Sequence, residues 1–100
     1  MSELANELLM VLTDKPTPAS YIVDYLGLRN KADLRALVHE LRCNGYPICS
    51  KVSDHGGYWY GNDQDVARTL ADLKSRRREL SEIIDAMERG PLDGQMEVEL

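Results

Sequence analysis

Between Pro16 and Gly61, prolines and glycines interrupt this chain so often that no long element fits there, whereas residues 62–89 contain neither. Proline breaks helix interiors and glycine ends helices or opens turns, so the chain must begin as several short elements and then run as one long one. From Leu4 to Leu12 the apolar residues Leu4, Ala5, Leu8, Leu9, Val11 and Leu12 recur at helical spacing until Asp14-Lys15-Pro16 stops them. Thr17-Pro18 then offers a hydroxyl N-cap followed by proline at the first helical position. Ala19, Ile22, Val23 and Leu26 mark the inner face of this second helix, and Gly27 ends it. Asn30 caps a third helix, with Asp33 at N3 imitating a capping box. Its stripe is Leu34, Leu37, Val38 and Leu41, at i, i+3, i+4 and i+7, and Asn44-Gly45 closes it.

The period then changes. Ile48, Ser50 and Val52 alternate with Cys49 and Lys51, Ser53-Asp54-His55-Gly56-Gly57 is turn chemistry, and Tyr58-Trp59-Tyr60 is a short aromatic strand ended by Gly61-Asn62. Tyr46-Pro47 reads as the corner between helix and strand. A lone hairpin is marginal in water, so one face must pack on the preceding helices. From Asp63 the pattern is helical again: Val66, Leu70, Leu73, Arg77, Leu80, Ile84 and Met87 step alternately by four and three, a heptad seam with one charged interruption. Gly90-Pro91 stops it, and the acidic remainder has no period. The expected fold class is mainly α with a small β-hairpin, a winged helix-turn-helix followed by a long C-terminal helix. The expected division is a head over residues 1–62, a dimerisation helix over 63–89 and a disordered acidic tail over 90–100.

Composition narrows the function classes. A chain of 100 residues with 43% hydrophobic content supports one modest core. No run approaches the ~20 apolar residues of a membrane-spanning helix, and the acidic start lacks the basic flank of a signal peptide. Cys43 and Cys49 are too few for a disulfide framework, so reduced thiols and a cytoplasmic setting are expected. The net charge of −5 argues against a general nucleic-acid coat. The acid is unevenly spread, however: residues 1–62 hold six Lys+Arg and seven Asp+Glu, and residues 63–100 hold six and ten. With its leucines turned inward, helix three presents Lys31, Arg35, His39 and Arg42 on the opposite face, a basic stripe in an acidic protein.

The segment from Leu34 to Ile48, with Leu41-Arg42 running into Gly45-Tyr46-Pro47-Ile48, followed by Gly56-Gly57-Tyr58-Trp59-Tyr60, resembles winged-helix domains of the biotin-repressor type. It resembles more closely the small stand-alone versions common in bacteriophages and prophages. The resemblance covers roughly residues 4–62. It implies base contacts from the exposed face of the third helix, here Lys31, Arg35 and His39, and wing contacts near Lys51 to His55.

The expected function is therefore sequence-specific binding of double-stranded DNA by a small homodimeric transcriptional regulator. The DNA-binding set is Asn30, Lys31, Arg35, His39, Arg42, Lys51 and His55. Arg35 suits base reading, since a guanidinium donates two bonds to guanine, and Lys31, Arg42 and Lys51 suit phosphate. The alternative is a winged-helix protein–protein module of a replication or transcription complex that binds DNA weakly. His39, Cys43, Cys49 and His55 include zinc-ligand types, but not at the spacing of a finger or ribbon, so neither metal nor cofactor is expected. No phosphate loop, paired carboxylates or nucleophile–base set supports an enzyme.

Overall fold

The structure, a computed structural model, describes residues 1–53 and 55–91. It is mainly helical with a two-stranded antiparallel hairpin and a long C-terminal helix. The elements are α1 (Glu3–Val11), α2 (Ala19–Leu26), α3 (Lys31–Cys43), β1 (Ile48–Lys51), β2 (Gly57–Tyr60) and α4 (Asp63–Arg89). Residues 92–100, expected to be a disordered tail, lie outside the described residues. The chain divides into two compact units, Met1–Ala67 and Arg68–Leu100.

In the first unit the three short helices enclose one core. Ala5, Leu8 and Leu12 meet Ile22 and Leu26 of α2 and Leu34, Leu37, Val38 and Leu41 of α3, while Ile48 closes the cluster from β1. Each helix starts and stops as its local chemistry dictates. The hydroxyl of Ser2 caps α1 by accepting the N–H of Ala5 at 3.2 Å, and Asn30 caps α3 by accepting the N–H of Asp33 at 3.0 Å. Gly27 ends α2 at φ +69°, the left-handed conformation that favours glycine.

Three local expectations are corrected. Thr17 does not cap α2; Pro18 occupies that position, and no side chain bonds to the first turn. Thr17 instead pairs with β2: its N–H donates to Tyr58 O at 2.8 Å, and Tyr58 N–H returns to Thr17 O at 2.9 Å. Tyr60 N–H adds a bond to Thr13 O at 2.7 Å, so β2 lies between β1 and the α1–α2 link. That approach explains Gly57. At φ +142° a side-chain Cβ there would stand 2.1 Å from the carbonyl oxygen of Thr17.

Asp33 does not complete a capping box with Asn30. Its carboxylate reaches one residue further back, to the backbone N–H of Arg29 at 3.3 Å and its Nε at 3.1 Å. Strand alternation also fails at two places. Cys49 is buried next to Ile48, with Gly61 so near its sulfur that a Cβ there would stand 2.5 Å from it, whereas Val52 lies past the end of β1 and is fully exposed.

The hairpin registers Ile48 with Tyr60, Cys49 with Trp59, Ser50 with Tyr58 and Lys51 with Gly57. Tyr58 packs on the core, and Trp59 turns the other way to donate its indole N–H to Asp65 at 3.0 Å. Asn62 and Asp65 bond reciprocally at the start of α4, with Asp65 N–H to Asn62 Oδ1 at 2.8 Å and Asn62 N–H to Asp65 Oδ2 at 3.2 Å. Asp65 thus ties the first turn of α4 to the hairpin, and the compact head extends to Ala67 where a boundary at Asn62 was expected. No residue of α4 is buried. No helix among the described residues is long and apolar enough to cross a membrane.

Candidate nucleic-acid interface

The leucine stripe of α3 fixes what its other face presents. With Leu34, Leu37, Val38 and Leu41 in the core, Lys31, Arg35 and His39 are exposed on the opposite side. The antiparallel register then decides where the hairpin cation goes: Lys51, at the end of β1, lies opposite Gly57 and next to the turn. Lys31, Arg35 and Lys51 line one open cleft of about 430 Å³ between the start of α3, the start of α2 and the hairpin. Ser20, Ser50 and Ser53 contribute hydroxyls to the same cleft, and the uncapped first turn of α2 borders it. Three cations, short hydroxyls and a helix start make this concavity suited to phosphate oxygens.

The remaining predicted residues divide by position. His39 lies further along the exposed face of α3, its Nε2 3.4 Å from the Cys43 thiol. Arg42 is half-buried. Its Nε donates to Ile48 O at 2.8 Å and its Nη2 to Ser50 Oγ at 3.4 Å, so it braces α3 against β1 while Lys31 and Arg35 line the cleft. Asn30 is exposed but spends its amide oxygen on capping α3. His55 is exposed in the hairpin turn. Val66 is half-buried, and Leu70, Leu73, Arg77, Leu80, Ile84 and Met87 are exposed along α4.

The acids of α3 bear on the cleft's charge. Asp33 is paired with Arg29, whose guanidinium bonds hold the Asp33 carboxyl below its usual range and raise Arg29 in turn. Glu40 accepts the backbone N–H of Ser2 and, at 2.9 Å, its hydroxyl; these bonds hold its carboxyl below the usual range and tie α1 to α3. Neither carboxylate lines the cleft, and neither pairs with its cations among the described residues.

The serine hydroxyls were missed by sequence reading, because no periodicity distinguishes Ser20 or Ser53 from any turn serine. The reciprocal Asn62–Asp65 cap was legible as Asn-x-x-Asp before an apolar run. No group of three or more His, Cys, Asp or Glu among the described residues is placed to hold a metal ion. Compared with protein-family models, curated proteins and solved structures, the chain matches none of them.

Proposed function

We propose that this chain binds double-stranded DNA sequence-specifically as a small dimeric regulator of the winged helix-turn-helix kind, the phage and prophage type it resembles. The observation that carries the reading is the cleft. Lys31 and Arg35 from α3 and Lys51 from the hairpin converge there, while the two acids of α3 are engaged elsewhere. In this reading α3 enters the major groove, Arg35 donates to a guanine edge, His39 lies further along the groove, and Lys31 and Lys51 neutralise phosphates of one strand. Asn30 and Arg42 act through position: one fixes the start of α3, and the other fixes the hairpin against its end. The apolar seam of α4 joins two heads, so two half-sites are read together and affinity rises through linkage.

The test compares variants. Arg35→Ala is expected to relax base preference at one position at a cost of about 1–3 kcal/mol on the preferred site. Lys51→Ala is expected to weaken all duplexes alike and to lower the slope of log affinity against log salt by about 1. Equal binding by both variants and the parent would overturn the proposal.

A protein-docking module is the second reading, favoured by one surface. Tyr21 and Tyr25 stack with ring centroids 6.0 Å apart and, with the 86% exposed Met10, line a groove between α1 and α2. Retention of DNA binding in Tyr21→Ala, Tyr25→Ala double variants separates that surface from the cleft.

A further inference from the structure

From Leu70 onward α4 carries an apolar stripe exposed along its whole length, with Leu80 59%, Ile84 53% and Met87 78% exposed. Arg77 lies in line with it. The charges of this helix come in two blocks. Lys74, Arg76, Arg77 and Arg78 follow one another with no acid between them, and Glu79, Glu82, Asp85 and Glu88 follow with no base between them. The boundary falls between Arg78 and Glu79, at the middle of the stripe that runs from Leu70 to Met87.

A second copy can pair with this stripe in two orientations, and the blocks choose between them. Parallel pairing sets every residue level with its own copy. Arg77 would then meet the partner's Arg77 inside the seam, and the basic block would lie along the partner subunit's basic block. The flanking e and g positions offer no relief: they join Thr69 with the partner's Lys74, Arg76 with the partner's Ser81 and Ile83 with the partner's Glu88, none of them an ion pair. Antiparallel pairing about the block boundary separates the two Arg77 side chains and lays each basic block along the partner's acidic block; its flanking pairs, Lys74 with the partner's Ser81 and Arg76 with the partner's Ile83, are not ion pairs either. Leu70 lies level with the partner's Met87, Leu73 with the partner's Ile84 and Arg77 with the partner's Leu80, so every seam residue has a seam residue opposite. Glu79 and Glu82 stand level with the partner's basic block but on the outward face of the helix, so the block match acts at longer range, beside the contact Arg77 makes in the seam. Arg77 then packs its methylene stem on leucine and carries its guanidinium to the seam's edge.

We propose that α4 pairs with α4 of a second copy in antiparallel orientation, the twofold axis crossing between Arg78 and Glu79. This deepens the dimer reading and rests on it.

The test is made on the full chain with spin labels on Arg78→Cys, Ala71→Cys or Ala86→Cys in a Cys43→Ser background; Cys49 is buried and stays unlabelled. Light scattering is expected to give twice the 11.3 kDa chain mass. At a rise of 1.5 Å per residue, the two labels of a dimer are offset along the axis by about 2 Å at residue 78 and by about 22 Å at residues 71 and 86. Residues 71, 78 and 86 flank the outward edge of the helix equally and share one lateral span, so dipolar spectroscopy is expected to give distances that match at 71 and 86 and are roughly 10 Å shorter at 78. Equal distances at all three positions would overturn the antiparallel orientation and leave the dimer standing, and unequal distances at 71 and 86 would overturn the axis position. A single-chain mass with no dipolar coupling would overturn the dimer reading itself, and the orientation with it.

Discussion

The head and the long helix spend their leucines in opposite ways. Within Met1–Ala67 the leucines of α3, Leu34, Leu37 and Leu41, are buried together with Leu8, Leu12 and Ile22. Along α4, Leu70, Leu73, Leu80 and Ile84 recur with equal regularity, yet each is more than a third exposed. The same 3.6-residue periodicity thus serves two ends, an internal core in short helices and an outward seam in a long one. What separates them is punctuation: Pro16, Gly27 and Gly45 turn the chain back on itself three times, and nothing between Gly61 and Gly90 does.

Substitutions can break that contrast. The largest effect is expected for Leu34→Ala, which empties a fully buried site and should cost about 2–5 kcal/mol in urea or thermal denaturation. Leu80→Ala removes the same atoms from an exposed position. It should change unfolding of the head by less than about 0.5 kcal/mol while lowering the light-scattering mass toward one chain. Comparable destabilisation by the two would erase the distinction between core and seam.

Next comes the hairpin's attachment to the helices. Gly57→Ala places a Cβ against the Thr17 carbonyl at a positive φ, and should destabilise the head by roughly 2–3 kcal/mol. Arg42→Gln loses the bond to the Ile48 carbonyl. A cost of roughly 1 kcal/mol is expected, with faster amide exchange confined to the hairpin. Uniform acceleration across α1 to α3 would show instead that Arg42 holds the whole core.

The smallest effect concerns acid. Glu40 and Asp33 are both held below the usual carboxylate range by hydrogen bonds, so the native state binds fewer protons than the unfolded one as pH falls. Their contribution is complete above about pH 4.5 and is lost as pH drops through the depressed native values. Glu40→Gln should therefore flatten the acid limb of a stability–pH curve, and an unchanged limb would contradict the Ser2–Glu40 tie.

Much of this was legible in the sequence because local rules act alone there. The α3 stripe, its Asn30 cap, the Gly27 stop and both ends of α4 follow from spacing and capping chemistry, and all are present. What escaped was set by distant neighbours. Thr17 has the chemistry of an N-cap, but β2 lies beside it and takes both its backbone groups. Cys49 sits on the outward phase of its strand, and Gly61 lies against its sulfur. Arg42 has the phase of a basic stripe, but the length of its side chain lets it reach the first carbonyl of β1. Of the candidate site, the three residues that share the cleft, Lys31, Arg35 and Lys51, were named from sequence, while their convergence required the hairpin register.

The central claim is that this cleft binds the backbone of duplex DNA and presents α3 to its bases. Fluorescence anisotropy of the purified chain against a randomised duplex pool, at low and near-physiological salt with bound sequences recovered and read, tests it most directly. Salt-sensitive binding that enriches a short inverted repeat is the predicted result. Absence of binding even at low salt would contradict the claim and turn attention to the Tyr21–Tyr25 surface.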